Sequence, residues 1–132
     1  MPKRARIDRM RYFPLAGVLT QGGRIERPKL RVSLPARLIA SHEVVFRFKG
    51  ESLPNLNIAD GDLLIAEPRR RLRMATAQCV IATVGDRAFV GRWWTKHGKR
   101  ELQDGTGETI ADVPQLKILA AVTLIIRLRD QS

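Results

Sequence analysis

The fold is decided by one stretch: Val44-Val45-Phe46-Arg47-Phe48-Lys49-Gly50-Glu51-Ser52-Leu53-Pro54, then, three residues on, Ile58-Ala59-Asp60-Gly61-Asp62-Leu63-Leu64-Ile65-Ala66. After its first residue the opening part alternates, with Phe46 and Phe48 on one face and Arg47 and Lys49 on the other. That is the period of a half-buried strand. Gly50 ends it. Asp60-Gly61-Asp62 between apolar runs is a tight-turn signal. Leu63 to Ala66 reads as a buried strand, stopped by Glu67-Pro68. The chain between the two strands presents Ser52 just beyond the end of the first, on a turn where its hydroxyl is open to solvent. An ordinary turn serine is the simpler account of an isolated Ser, and the hydroxyl is a nucleophile only where a base takes its proton.

Further strands lie downstream. Gln78 to Val84 is continuous and β-branched, as a central strand is. Gly85-Asp86 turns the chain, and Arg87 to Trp94 reads as the returning strand of a hairpin. Lys96 to Arg100 reads as a basic loop, and Glu101-Leu102-Gln103 as a short strand before the turn at Asp104 to Gly107. Leu116 to Leu128, dense in Val, Ile and Leu, is one long bent strand or a pair, and its apolar surface is a candidate dimer contact. Upstream, residues 1–12 read as a flexible basic arm, 14–23 as a loop, and 36–41 as a short helical turn. Many short strands separated by turn signals predict a mostly β fold, a sheet or barrel with little helix. The single domain spans residues 13–132.

At 132 residues and 44% apolar, the chain is long enough to bury one core without disulfides or a structural metal. Its one cysteine, Cys79, excludes an internal disulfide framework and a multi-cysteine zinc or iron–sulfur site, and reads as a small buried hydrophobe. His42 and His97 are far apart with no cysteine companions, so neither a metal nor a cofactor is expected. No apolar run reaches the length of a membrane span. The basic start Met1-Pro2-Lys3-Arg4 is not followed by an apolar signal segment. A cytoplasmic protein is the expectation.

The formal net charge is +11, and residues 1–37 alone carry +8. Arg4, Arg6, Arg9 and Arg11 form one basic cluster; Arg69, Arg70, Arg71 and Arg73 form another. Both suit a polyanion, either nucleic acid or an acidic partner, and both equally suit solvated segments that keep the chain soluble. With aromatics at 5%, a platform for stacking single-stranded bases is not expected. Of Trp93 and Trp94, strand alternation buries one and exposes the other as a candidate partner contact.

The block Gly50-Glu51-Ser52-Leu53 followed by Ile58-Ala59-Asp60-Gly61-Asp62 resembles the LexA repressor C-terminal domain and the UmuD-type polymerase accessory proteins. In that family Gly-Asp-Ser-Met precedes Ile-x-Asp-Gly-Asp and an apolar strand. The resemblance extends over roughly residues 13–130. It implies a LexA/signal-peptidase-like β-fold and a Ser–Lys autopeptidase with Ser52 as nucleophile. It also implies a cleavage site in Pro14 to Gly22, here at Gln21–Gly22, although Gln21 replaces the usual small residue. The family base is a lysine kept neutral by burial. Aligning the hairpin puts Gly91 at that position, so the lysine is absent.

Arg92 cannot substitute, because guanidinium does not deprotonate. Lys96 is the candidate relocated base; Lys49, Lys99, His42 and His97 are further possibilities by residue type. Three readings follow. The first is a pseudoenzyme of the SOS response, DNA repair or transcription regulation, with self-cleavage lost or attenuated. It would act as a homodimer or on a DNA-repair polymerase or regulatory partner. The second is an active serine autopeptidase using Ser52 and Lys96. The third is an electrostatic, sequence-tolerant nucleic-acid-binding module, since the arm is too short for a helix-turn-helix reader.

Overall fold

The computed structural model describes residues 9–68, 78–96, 99–104, 109–110 and 116–128. Within them the protein is mostly β, as the sequence predicts. The strands are β1 (Met10–Leu19), β2 (Arg31–Pro35), β3 (Val44–Phe48), β4 (Leu63–Pro68), β5 (Gln78–Val84), β6 (Arg87–Lys96), β7 (Lys99–Asp104), β8 (Thr109–Ile110) and β9 (Leu116–Ile126). Single 3-10 turns occupy Ala36–Leu38 and Pro54–Leu56. The strands hydrogen-bond in the order β2-β1-β3-β4-β9-β5-β6-β7-β8. Among the described residues only β1 and β3 run parallel. Among the described residues no helix is long and apolar enough to cross a membrane.

The sheet returns on itself. Beyond Leu19 the chain turns at residues 20–23, and this tip docks on the free part of β6. Gly22 N–H donates to Ala88 O at 2.8 Å, and Ala88 N–H donates to Gly23 O at 2.8 Å. The Gln21 amide continues the ladder as a backbone unit would: Nε2 donates to Val90 O at 2.9 Å, and Oε1 accepts from Val90 N–H at 2.8 Å. The path β1-β3-β4-β9-β5-β6 is thereby closed into a small barrel. Its interior is filled by alternate residues of each strand: Leu19, Phe46, Phe48, Leu64, Ile81, Val90 and Ala120, with Leu53, Leu56 and Ile58 from the Ser52 excursion packed on the same cluster. Two outer clusters flank it. One joins Val32, Leu34, Val45, Leu63 and Ile65 beneath β2; the other joins Val80, Ala82, Trp93 and Leu102.

Because Gln21 alone satisfies both polar groups of a part-buried backbone residue, its loss leaves a donor and an acceptor without partners. Gln21→Ala is expected to destabilise the fold by about 1–3 kcal/mol, read as a lower denaturant midpoint at unchanged slope.

Three sequence expectations need correction. The arm does not reach residue 12, because β1 begins at Met10. Residues 14–19 are strand rather than loop, and only 20–23 form the turn. Pro14 is tolerated because it sits opposite Arg31 in a non-bonded pair, where its nitrogen points away from β2, so β2 loses no bond. Gly17 is needed inside the strand, since a Cβ there would lie 2.5 Å from Ile25 Cγ2. Finally, the basic loop read at 96–100 is largely strand, since Lys96 ends β6 and Lys99 and Arg100 open β7. Of the two forms read for Leu116 to Leu128, the single strand is the one found, Leu116–Ile126, with register shifts against both neighbours, β4 and β5. β4 pairs with its residues 120–126 and β5 with its residues 116–121; Ala120 and Ala121 are buried, while Leu124 is exposed.

Candidate functional site

β3 delivers the chain to Ser52, and the excursion from Lys49 to Asp62 is tied at its base. Phe48 N–H donates to Asp62 O and Gly61 N–H to Phe48 O, both at 2.8 Å. Asp60 Oδ1 accepts from Gly50 N–H at 2.9 Å. Gly50 (φ 121°) and Gly61 (φ 85°) take left-handed conformations that a side chain would strain. Inside the excursion Leu53 bridges Ile58, which buries both against the barrel. Ser52 itself is exposed, and no hydrogen bond joins its hydroxyl to any described residue.

Asp62 is the one buried charged residue among the described residues, with 1% of its surface exposed. Arg127 grips it with two nitrogens, Nε to Oδ1 and Nη2 to Oδ2, each at 3.0 Å. Ala59 N–H adds a bond to Oδ2 at 2.8 Å. The carboxylate hydrogen bond pushes the Arg127 guanidinium pKa still higher. The sequence assigns Asp62 only to a turn. Its partner is distant in the chain, and nothing in composition or spacing signals the pair. The pair pins the end of β9 to the turn that carries the excursion, so its role is architectural.

The opposite wall is β6. Val90 faces the barrel interior with Ala88, so Arg92 lies on that same side. Arg92 Nη2 donates to Asn55 O at 3.0 Å, and Arg92 lines a cleft of about 220 Å³ with Asn55, Leu56 and Gln103. Gly91 points the other way. A Cβ on it would meet Gln103 O at 2.6 Å and Leu102 Cδ1 and Cγ at 2.9 Å. Position 91, where the resemblance leads one to expect a lysine, therefore faces the outer cluster of Trp93 and Leu102 and has no room for a side chain. The residue that reaches the Ser52 excursion is an arginine, which stays charged and cannot act as a base.

The other candidates are not brought to Ser52. The Lys96 backbone pairs with Lys99 at the end of the β6–β7 hairpin. It lies four residues beyond Arg92, about 13 Å along an extended strand. Lys49 is exposed beside Asp60 and Arg127 on the rim of a depression of 740 Å³ on the outer face. His42 stands before β3, at the end opposite Ser52, with Nε2 3.5 Å from Glu67 Oε1. Arg9 and Arg11 are exposed, and the Arg11 guanidinium lies 5.6 Å from the Phe13 ring centre. Arg4, Arg6, Arg69, Arg70, Arg71, Arg73 and His97 lie outside the described residues, as do the side chains of Lys96, Lys99 and Trp94. Trp93 is buried. Among the described residues no group of three or more His, Cys, Asp or Glu could hold a metal ion.

Cys79 packs partly against the barrel core. Burial raises its thiol pKa to about 11, against the smaller lowering effect of Arg92. At pH 8 only about one thiol in a thousand is then ionised, and the thiolate is the reactive form. Iodoacetamide is expected to alkylate Cys79 slowly in the folded protein and rapidly in denaturant, as followed by intact mass.

No protein-family model and no curated protein sequence matches this chain.

Proposed function

We propose that the chain is a cytoplasmic LexA/UmuD-like protein of peptidase fold in which self-cleavage is lost. It acts by association in the DNA-damage response or transcriptional regulation, with a second copy, a repair polymerase or a regulatory protein as partner. One observation carries the reading. Ser52, which the resemblance makes the nucleophile, is exposed, and the β6 side chain that reaches its turn is Arg92, which cannot act as a base. A hydroxyl without a base is a poor nucleophile at any physiological pH. The docking of Gln21 and Gly22 on β6 gives the same segment a structural role, as the closure of the barrel. The backbone position of Lys96 weighs against the active alternative.

The test is labelling with a fluorophosphonate, which traps a serine activated by a neighbouring base. The expected result is no adduct on Ser52, either at neutral pH or near the ordinary lysine pKa of about 10.4. An adduct that maps to Ser52 and is absent in Ser52→Ala overturns the proposal.

A further inference from the structure

The register of the β1–β2 ribbon fixes which backbone groups of β2 are spent and which are free. Its partners are Met10↔Pro35, Arg11↔Leu34, Tyr12↔Ser33, Phe13↔Val32 and Pro14↔Arg31. Hydrogen bonds just outside it, from Leu15 N–H to Leu30 O and from Ala36 N–H to Arg9 O, set the phase. Antiparallel pairs alternate between bonded and non-bonded. The bonded pairs are therefore Phe13 with Val32 and Arg11 with Leu34. Arg31 and Ser33 turn their N–H and C=O groups outward, away from β1. β2 is the terminal strand of the sheet, and among the described residues nothing pairs with that edge. Arg31 and Ser33 are exposed.

The ribbon is also one-signed and partly apolar. Residues 9–14 and 31–37 contain Arg9, Arg11, Arg31 and Arg37 and no acid. Its outward face carries Tyr12, 73% exposed, and Met10, 53% exposed. Small Ser33 separates Tyr12 from the edge, so an added strand would lie two strand spacings, about 9–10 Å, from Tyr12, with no bulky side chain of β2 between them at that level.

We propose that the outward edge of β2 is a docking strand for an extended acidic segment of a partner protein, which adds to the sheet beside Arg31 to Ser33. Donors and acceptors alternate along this edge, and a peptide backbone offers both in return. A phosphate backbone offers acceptors only and leaves the outward carbonyls of Arg31 and Ser33 unanswered. A second copy brings a like-charged ribbon on a chain of formal net charge +11. An acidic strand with apolar side chains on one face satisfies the edge, the charge and Tyr12 together. Pro35, which has no N–H, limits the added strand to a short one. The inference deepens the association reading above without resting on the state of Ser52, and the two fail in separate experiments.

The probe is a rhodamine-labelled, terminally blocked hexapeptide of alternating Glu and Val, titrated into the full chain with anisotropy as the readout. Controls are the Lys–Val counterpart and a six-nucleotide oligothymidylate. Ser33→Pro is the diagnostic variant. It removes an outward N–H and blocks the edge while sparing every bond to β1. The expected result is binding of the Glu–Val peptide, at least tenfold weaker in Ser33→Pro and in Arg31→Glu, with no binding of the Lys–Val peptide. Any oligothymidylate binding is expected to be unchanged by Ser33→Pro. A second readout uses the unmodified protein: peptide should slow amide exchange of Arg31 and Ser33 at least tenfold and leave Val32 and Leu34 as they were. Absence of Glu–Val binding, equal binding by Ser33→Pro, or unchanged exchange at Arg31 and Ser33 overturns the proposal.

Discussion

Phe48→Ala is expected to lower the stability of this protein by about 3–5 kcal/mol, the cost of truncating a fully buried phenylalanine. Phe48 has no exposed surface, and it sits inside the barrel between Leu19, Leu64 and the Leu53–Ile58 cap. The cavity cannot collapse easily, because strands on every side are held by the closed ladder. Single domains have only about 5–15 kcal/mol in hand, so the loss is a large part of the total. Thermal unfolding followed by circular dichroism should show a midpoint lower by on the order of 10–20 °C. Tyr12→Ala, at an exposed position of β1, should leave that midpoint nearly unchanged. A small shift for Phe48→Ala would mean that β3 does not face a closed interior.

Gly91→Lys is the second large effect, and its direction separates two ideas of the site. If position 91 faced Ser52, a lysine there would supply a base and cleavage would follow. Here a Cβ at 91 runs into Gln103 O at 2.6 Å, a backbone atom of the paired strand that cannot step aside. Overpacking of this kind costs about 1–3 kcal/mol or more. The expected outcome is a lower unfolding midpoint and no new fragment by mass spectrometry at any pH. Arg92→Lys is the contrasting change, since residue 92 lies on the side that reaches Asn55. A stable, self-cleaving Gly91→Lys would show that the strand faces its opposite side to Ser52.

The strands with clean patterns were legible in the sequence. Phe46 and Phe48 alternate with charged residues, Leu63 to Ala66 is uninterrupted, and the hairpin at Gly85-Asp86 follows from its turn; all three form as expected. The beginning of the barrel was not. Pro14 and Gly17 read as loop residues because their cost in a strand depends on neighbours that the local sequence does not contain. Pro14 is harmless in a non-bonded pair, and Gly17 makes room for Ile25.

The site was legible in part. Ser52 at a strand end follows from Gly50 and the Asp60-Gly61-Asp62 turn. Alternation also places residues 91 and 92 on opposite faces, but it cannot say which of them meets the excursion. That answer comes from Val90 and Ala88 packing on the interior. The Asp62–Arg127 grip joins residues 65 apart in the chain and leaves no trace in local pattern. The double bond from the Gln21 amide to Val90 is likewise a property of closure, and the sequence marked Gln21 only as a poor fit to a cleavage site.

The central claim is that an exposed Ser52 has no base. It is tested most directly by the intact mass of the purified protein before and after prolonged incubation at alkaline pH, with Ser52→Ala alongside. Alkaline buffer neutralises any lysine within reach and so favours a Ser–Lys dyad over every competing arrangement. An unchanged mass in both proteins is the predicted result. A fragment beginning at Gly22 or Gly23, formed by the native chain and absent from Ser52→Ala, would contradict it and would mean that a lysine reaches the turn that Arg92 now covers.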